Sequence, residues 1–197
     1  WWFTDEAALT GSVGTAFRAP NFSDAISFSV PTQVTGVSTI PSPGVQPEEA
    51  IQYELGPRYA GERLTASVAA YYLDLDPTIV PVSAGTFVVP GIGTTQAREN
   101  QTIGTAFVRG VEASLEYRPA DGLTLFGNLT YTFGRDKFLD APSRFIPPLN
   151  GLLGVRYERT APRPWWIETT VRMVDRYTRH APDDETRSQT MPVNRRY

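Results

Sequence analysis

Three cations, Arg135, Lys137 and Arg144, share one polar segment of this chain. Together they could present a positive rim to an anionic ligand, with Asp136 among them to neutralise part of it. A solvated loop would have the same composition. Arg18 closes an alternating apolar segment. It could attract an anion, or it could anchor the loop that follows through an ion pair. His180 lies near Asp183, Asp184 and Glu185. An oxygen cluster of that kind suits calcium, and a plain polar loop is the alternative. Phe87, Asn100 and Gln101 are ordinary ligand-contact types with no diagnostic spacing. These candidates point to binding.

Catalysis finds no support. The sequence has no Gly-x-Ser-x-Gly elbow, no phosphate-cradling glycine loop and no His-Glu-x-x-His pair. Glu112 and Glu116 share a strand face, but that spacing equally fits a polar wall. The chain has 0 Cys and 1 His. A thiolate metal site, a disulfide framework and a two-His mechanism are therefore excluded. No enzymatic activity and no cofactor are expected.

The elements that must position these residues are strands. The 197 residues are 41% hydrophobic and 20% charged, with a mean hydropathy of -0.26. A helical membrane bundle needs apolar runs of roughly 20 residues, and Val68–Leu73 is the longest one here. With 18 basic and 21 acidic residues, the chain carries no nucleic-acid footprint. Aromatics at 12% argue against disorder.

Period-two alternation dominates, and it predicts strands with two unlike faces. One face reads Leu9, Val13, Phe17; then Ile51, Tyr53, Leu55, Tyr59; then Leu64, Ala66, Val68, Ala70, Tyr72. It continues as Val111, Ala113, Leu115, Tyr117; Leu123, Leu125, Leu129, Tyr131, Phe133; Leu153, Val155, Tyr157; and Ile167, Val171, Met173. The opposite face carries Thr10, Ser12, Arg18, Gln52, Glu54, Glu112, Ser114, Asn128, Thr130 and Arg172, with Phe126 as an exception. About seven strands of roughly 9–12 residues result, the length that a tilted strand needs to cross a bilayer.

The connections sort by length. Short turns fall at 59–63, 118–122 and 158–164. Long Pro-, Gly-, Ser- and Thr-rich loops fall at roughly 19–47, 74–105, 134–149 and 175–190. Short periplasmic turns opposite long extracellular loops are the mark of an outer-membrane barrel. Trp1, Trp2, Tyr59, Tyr117, Tyr157, Trp165 and Trp166 cluster beside the short turns, as an interfacial girdle would. The expected fold is all-β: an antiparallel transmembrane β-barrel segment of about seven to eight strands. A smaller outer-membrane barrel and a soluble β-sandwich binding module are the alternatives.

Four segments carry a family resemblance. Gly14–Phe22 resembles the GxFRAPN segment of TonB-dependent outer-membrane receptors. Pro47–Gly56 is similar to their KPExSxxYExG strand. Arg109–Ala113 resembles their xGVEA strand opening, and Ile146–Gly151 their IPPxxG segment. The resemblance implies part of a 22-stranded barrel, with residues 1–197 forming a partial barrel domain whose plug and closing strands lie elsewhere. It implies residence in the outer membrane of a Gram-negative bacterium, contact with outer-membrane lipid, uptake of a scarce small molecule, and energy from the TonB complex acting through the plug. The loop Asn21–Pro47 has no His and lacks the family's NPNL text, departures from its haem receptors that make a siderophore or another organic ligand at least as expected as haem, with a ferric siderophore or similar iron complex foremost. Arg18, Phe87, Asn100, Arg135, Lys137, Arg144 and His180 are its expected ligand contacts.

Overall fold

The computed structural model describes residues 1–179. They form one sheet built on seven long or medium strands and two short ones. The elements are β1 (Ala7–Arg18), α1 (Phe22–Ile26), β2 (Val37–Thr39), β3 (Glu48–Ala60), β4 (Leu64–Val89), β5 (Gly93–Ala120), β6 (Leu123–Asp136), β7 (Ala141–Pro142), β8 (Asn150–Arg159) and β9 (Trp165–Val174). The order across the sheet is β1-β3-β4-β5-β6-β8-β9, and each neighbouring pair on that path is antiparallel.

The register carries the alternation of one strand into the next. Val13 stands opposite Tyr53, Tyr53 opposite Tyr72, and Tyr72 opposite Arg109. Lower on the sheet, Ala66 stands opposite Leu115, Leu115 opposite Gly127, Gly127 opposite Leu153, and Leu153 opposite Val171. A slip of one residue would send a strand's whole apolar set to the other face. No such slip occurs within these rows. Seven strands therefore share one continuous apolar face.

Among the described residues no second sheet packs on that face. Val13 is 71% exposed, Leu55 55%, Leu153 57% and Val171 58%. A β-sandwich would cover this face with a second sheet, and the described residues form one sheet. On β6 the apolar run from Leu123 to Phe133 extends roughly 33 Å along the strand, which at a barrel tilt near 40° gives a height of about 25 Å. That is the height of the apolar band of an outer-membrane barrel.

The three short turns lie where the alternation breaks, between β3 and β4, β5 and β6, and β8 and β9. The loop expected at 74–105 is a correction. Most of it is strand: β4 and β5 run on together beyond the other strands and join at 90–92. Pro, Gly and Thr made this stretch read as loop. Yet Thr78, Ile79, Val80 and Val82 are good strand residues, and the two segments pair with each other. The irregular residues are absorbed by bulges. Register shifts flank Pro77, between Leu75 and Thr78, and Gly85, between Ser83 and Thr86. Bulges of this kind admit a proline or glycine without ending the ladder. As a result β4 has 26 residues and β5 has 28, well beyond the length of a membrane crossing.

Most of the small buried core lies within that extension, with Ala8 and Ala141 buried elsewhere. Val80, Val89 and Ala97 are buried in the extension, with Ser38 and Thr95. Loop 19–47 supplies the cover. Its β2 lies parallel to residues 96–98 of β5.

Candidate functional site

The loop end of the sheet is organised by Arg18. Its Nε donates to Glu48 Oε2 at 2.5 Å, and its Nη1 donates to Asp24 Oδ2 at 2.7 Å. Glu48 Oε1 accepts from the Ile79 backbone N–H at 2.8 Å. One guanidinium thus joins β1, β3 and α1, and Glu48 extends the link to β4. Asp24 also closes the capping box of α1. Its backbone N–H donates to Asn21 Oδ1, and its carboxylate accepts from the Asn21 N–H, both at 2.9 Å. Such reciprocal capping satisfies otherwise orphaned donors in the first helical turn.

These groups lie at the strand ends, beyond the apolar band. Their electrostatics follow from the contacts. Glu48 and then Asp24 hold the Arg18 guanidinium well above its ordinary range. Burial opposes ionisation of both carboxylates, but the bonds outweigh it. Asp24 lies below its ordinary value because of the Asn21 N–H and Arg18. Glu48 does so because of Arg18 and the Ile79 N–H.

Asn100 and Phe87 hold the same loop. Asn100 Nδ2 donates to the Asp24 carbonyl at 2.9 Å, and its backbone N–H donates to Ser42 Oγ at 2.7 Å. Phe87 meets Phe28 edge to face at 5.8 Å. Ser38 Oγ and Thr95 Oγ1 lie 2.6 Å apart and are buried. The Gln46 N–H donates to Thr102 Oγ1 at 2.7 Å. Arg18, Phe87 and Asn100 therefore converge on loop 19–47 and fix its position.

The remaining candidates lie elsewhere. Arg135 stands opposite Phe107 on the apolar side of the sheet and pairs with Asp140 at 2.5 Å. Lys137 pairs with Asp74 at 3.1 Å, and that hydrogen bond raises its pKa above the ordinary lysine value. Arg144 is exposed, in the segment after β7. Ser143 and Ile146 from this segment crowd the Cβ position of Gly134, so it folds over the polar face. His180 lies outside the described residues. Of the three loop cations, Arg135 and Lys137 are thus each tied to a carboxylate.

Two features were not singled out in the sequence. Phe145 is 88% exposed and holds a φ of 61°. A bulky residue in that conformation is strained, and such strain persists only where the surroundings impose it. Phe145 directly follows Arg144 in the chain. The second feature is an open hollow of about 290 Å³ on the polar face, where Ser12, Gly14, Ala16 and Ala50 are too small to fill the wall beside Gln52 and Leu73. Phe126, the exception on the polar face, has a simple reason. It stands opposite Gly154, and its ring occupies the space that a Cβ there would take. Among the described residues no three His, Asp or Glu side chains gather as a metal cluster.

The sheet as a whole has counterparts in known proteins. The family model for the TonB dependent receptor-like β-barrel matches residues 1–194. The copper transporter OprC superposes with a TM-score of 0.70 at 22% identity, covering 92% of this chain and 26% of that one. The ferric enterobactin receptor PfeA from Pseudomonas aeruginosa gives 0.75 at 19% identity, covering 87% and 26%. The siderophore receptor PirA from Acinetobacter baumannii gives 0.60 at 17% identity, covering 87% and 32%. This chain thus spans a quarter to a third of the length of each receptor. No curated protein sequence matches it. With the family model covering nearly every residue, the chain belongs to the TonB-dependent receptors, within their β-barrel domain.

Proposed function

We propose that this chain is the wall segment of an outer-membrane receptor that takes up an organic iron complex, of the ferric siderophore class. The observation that carries the reading is the split of one sheet into a continuous apolar face and a polar face, with a clamped loop at one end. The apolar face meets outer-membrane lipid. The polar face lines the lumen and receives the plug, through which the TonB complex supplies energy. Members of the family with solved structures include an enterobactin receptor and a siderophore receptor, which supports an iron-complex ligand. OprC is a copper transporter. This segment offers guanidinium, hydroxyl, amide and aromatic groups, with 0 Cys and 1 His. Those groups suit an anionic organic complex better than a bare soft metal ion.

Within this reading Arg144 and the neighbouring Phe145 contact the ligand, with His180 as a further contact. Arg18, Asn100 and Phe87 act by holding loop 19–47 over the lumen. Arg135 and Lys137 lie further out, each already paired with a carboxylate, and we assign them no direct contact with the ligand. The test is uptake of radiolabelled iron by cells carrying the intact receptor, supplied with ferric enterobactin and with a panel of hydroxamate complexes. Uptake of one complex that requires an intact TonB system supports the reading. Arg144→Ala and Phe145→Ala should each weaken binding of that complex roughly tenfold. Copper-selective uptake with no response to any iron complex would overturn it.

A further inference from the structure

The apolar face is free of charge over most of its height. Its outward rows from Leu64 to Tyr72, Val111 to Tyr117 and Leu123 to Phe133 carry no ionised side chain. The first charges appear together at the loop end: Asp74, Arg109 and Arg135. Arg109 stands in register between Tyr72 and Phe133, so it points outward with them.

A platform of rings holds it there. Tyr72 stacks on Phe107 at 5.8 Å, and Phe107 meets Phe133 at 5.9 Å. The Arg109 guanidinium lies 5.7 Å from the Phe107 centroid and 5.2 Å from that of Phe133. Arg179 approaches Phe133 at 5.6 Å and Tyr131 at 5.4 Å. Two guanidiniums therefore share one ring.

Their charge is not spent locally. Lys137 is neutralised by Asp74, and Arg135 by Asp140. Among the described residues no carboxylate lies within ion-pair distance of Arg109. Nη1 of Arg179 is buried without a hydrogen-bond partner among the described residues. A buried donor left unpaired is costly. Arg109 is exposed, and a planar guanidinium fork matches phosphate oxygens bidentately.

We propose that Arg109 and Arg179, seated on Phe107, Phe133 and Tyr131, bind a phosphate group of an outer-leaflet glycolipid. Location selects the lipid over a soluble anion. The site is on the outside of the wall, at the upper edge of the apolar band, where headgroups lie and basic side chains capture them. The cargo passes on the opposite face. The rings add apolar contact to the first carbons of the lipid.

The experiment uses the intact receptor, purified in detergent and titrated with lipid A, with bound lipid counted by native mass spectrometry. Arg109→Gln should weaken lipid A binding roughly tenfold, the worth of a charge-assisted contact. Arg109→Lys keeps the charge but not the fork, and should fall between the two. Arg58→Gln, on the polar face, should bind as the parent does. Heat-modifiable electrophoretic mobility reports whether each variant is folded, and Arg109→Lys keeps the test decisive if Arg109→Gln is not. Equal binding by the parent and both Arg109 variants would overturn the site. Displacement of lipid A by millimolar inorganic phosphate would overturn the lipid assignment. The proposal rests on the outer-membrane reading. Cell fractionation checks that reading separately, so a receptor found in the outer membrane that ignores Arg109→Gln overturns the site alone.

Discussion

The Tyr71 hydroxyl lies 2.8 Å from Thr132 Oγ1, although a whole strand separates them. Tyr71, Gly110 and Thr132 stand in one row across β4, β5 and β6. The Tyr71 ring crosses β5 at Gly110, where a Cβ would come within 2.5 Å of its hydroxyl and of the Tyr131 carbonyl. Gly110 is therefore what lets two non-adjacent strands be bonded on the polar face. Gly110→Val should destabilise the intact barrel by about 1–3 kcal/mol through overpacking and loss of that bond. Tyr71→Phe should cost about 1 kcal/mol. Urea unfolding of both single variants and of the double variant checks this. Non-additive costs are expected, since the residues share one contact.

The two faces should answer differently to charge. Leu115 stands mid-sheet on the apolar face, and its neighbour Ser114 pairs with Ser67 on the polar face at 2.7 Å. In an intact barrel in bilayers, Leu115→Arg should cost roughly 2–4 kcal/mol. Ser114→Arg should cost much less. Equal losses in reversible unfolding would contradict a lipid-facing sheet.

Acid should loosen loop 19–47. Glu48 and Asp24 are held below their ordinary values. A depressed carboxylate contributes stability that is full above its unfolded value and is lost as pH falls through the folded value. Loop docking should therefore be constant at neutral pH and weaken only in acid, below the ordinary carboxylate range. Hydrogen exchange of residues 19–47 against pH reads this directly. Arg18→Gln should reduce the acid dependence, leaving the share carried by the Asn21 and Ile79 N–H groups, and raise exchange already at neutral pH.

Topology can be read by labelling, since the chain has 0 Cys. A single Cys introduced at Gly91, in the tip joining β4 and β5, should react with an impermeant maleimide on intact cells. A Cys at Asp121, in the turn between β5 and β6, should react only after the outer membrane is opened. The reverse pattern would invert the orientation of the wall.

The sequence by itself determined the strands, their faces and their short turns. Alternation is a local property. A strand that touches lipid on one side and water on the other must write that difference into every second residue. The same parity already places Arg109 outward, two residues before Val111. Tertiary structure decided what depends on partners far along the chain. Residues 74–105 became strand because two irregular segments found each other, and no local pattern announces a pairing that bulges must repair. Arg18 became a clamp because Glu48 and Asp24 meet it from two other elements. Asn100 was drawn to Asp24, 76 residues away. Side-chain type shows what a residue can bind. Only the fold brings the partner within 3 Å, and that distance decides between holding a loop and meeting a ligand.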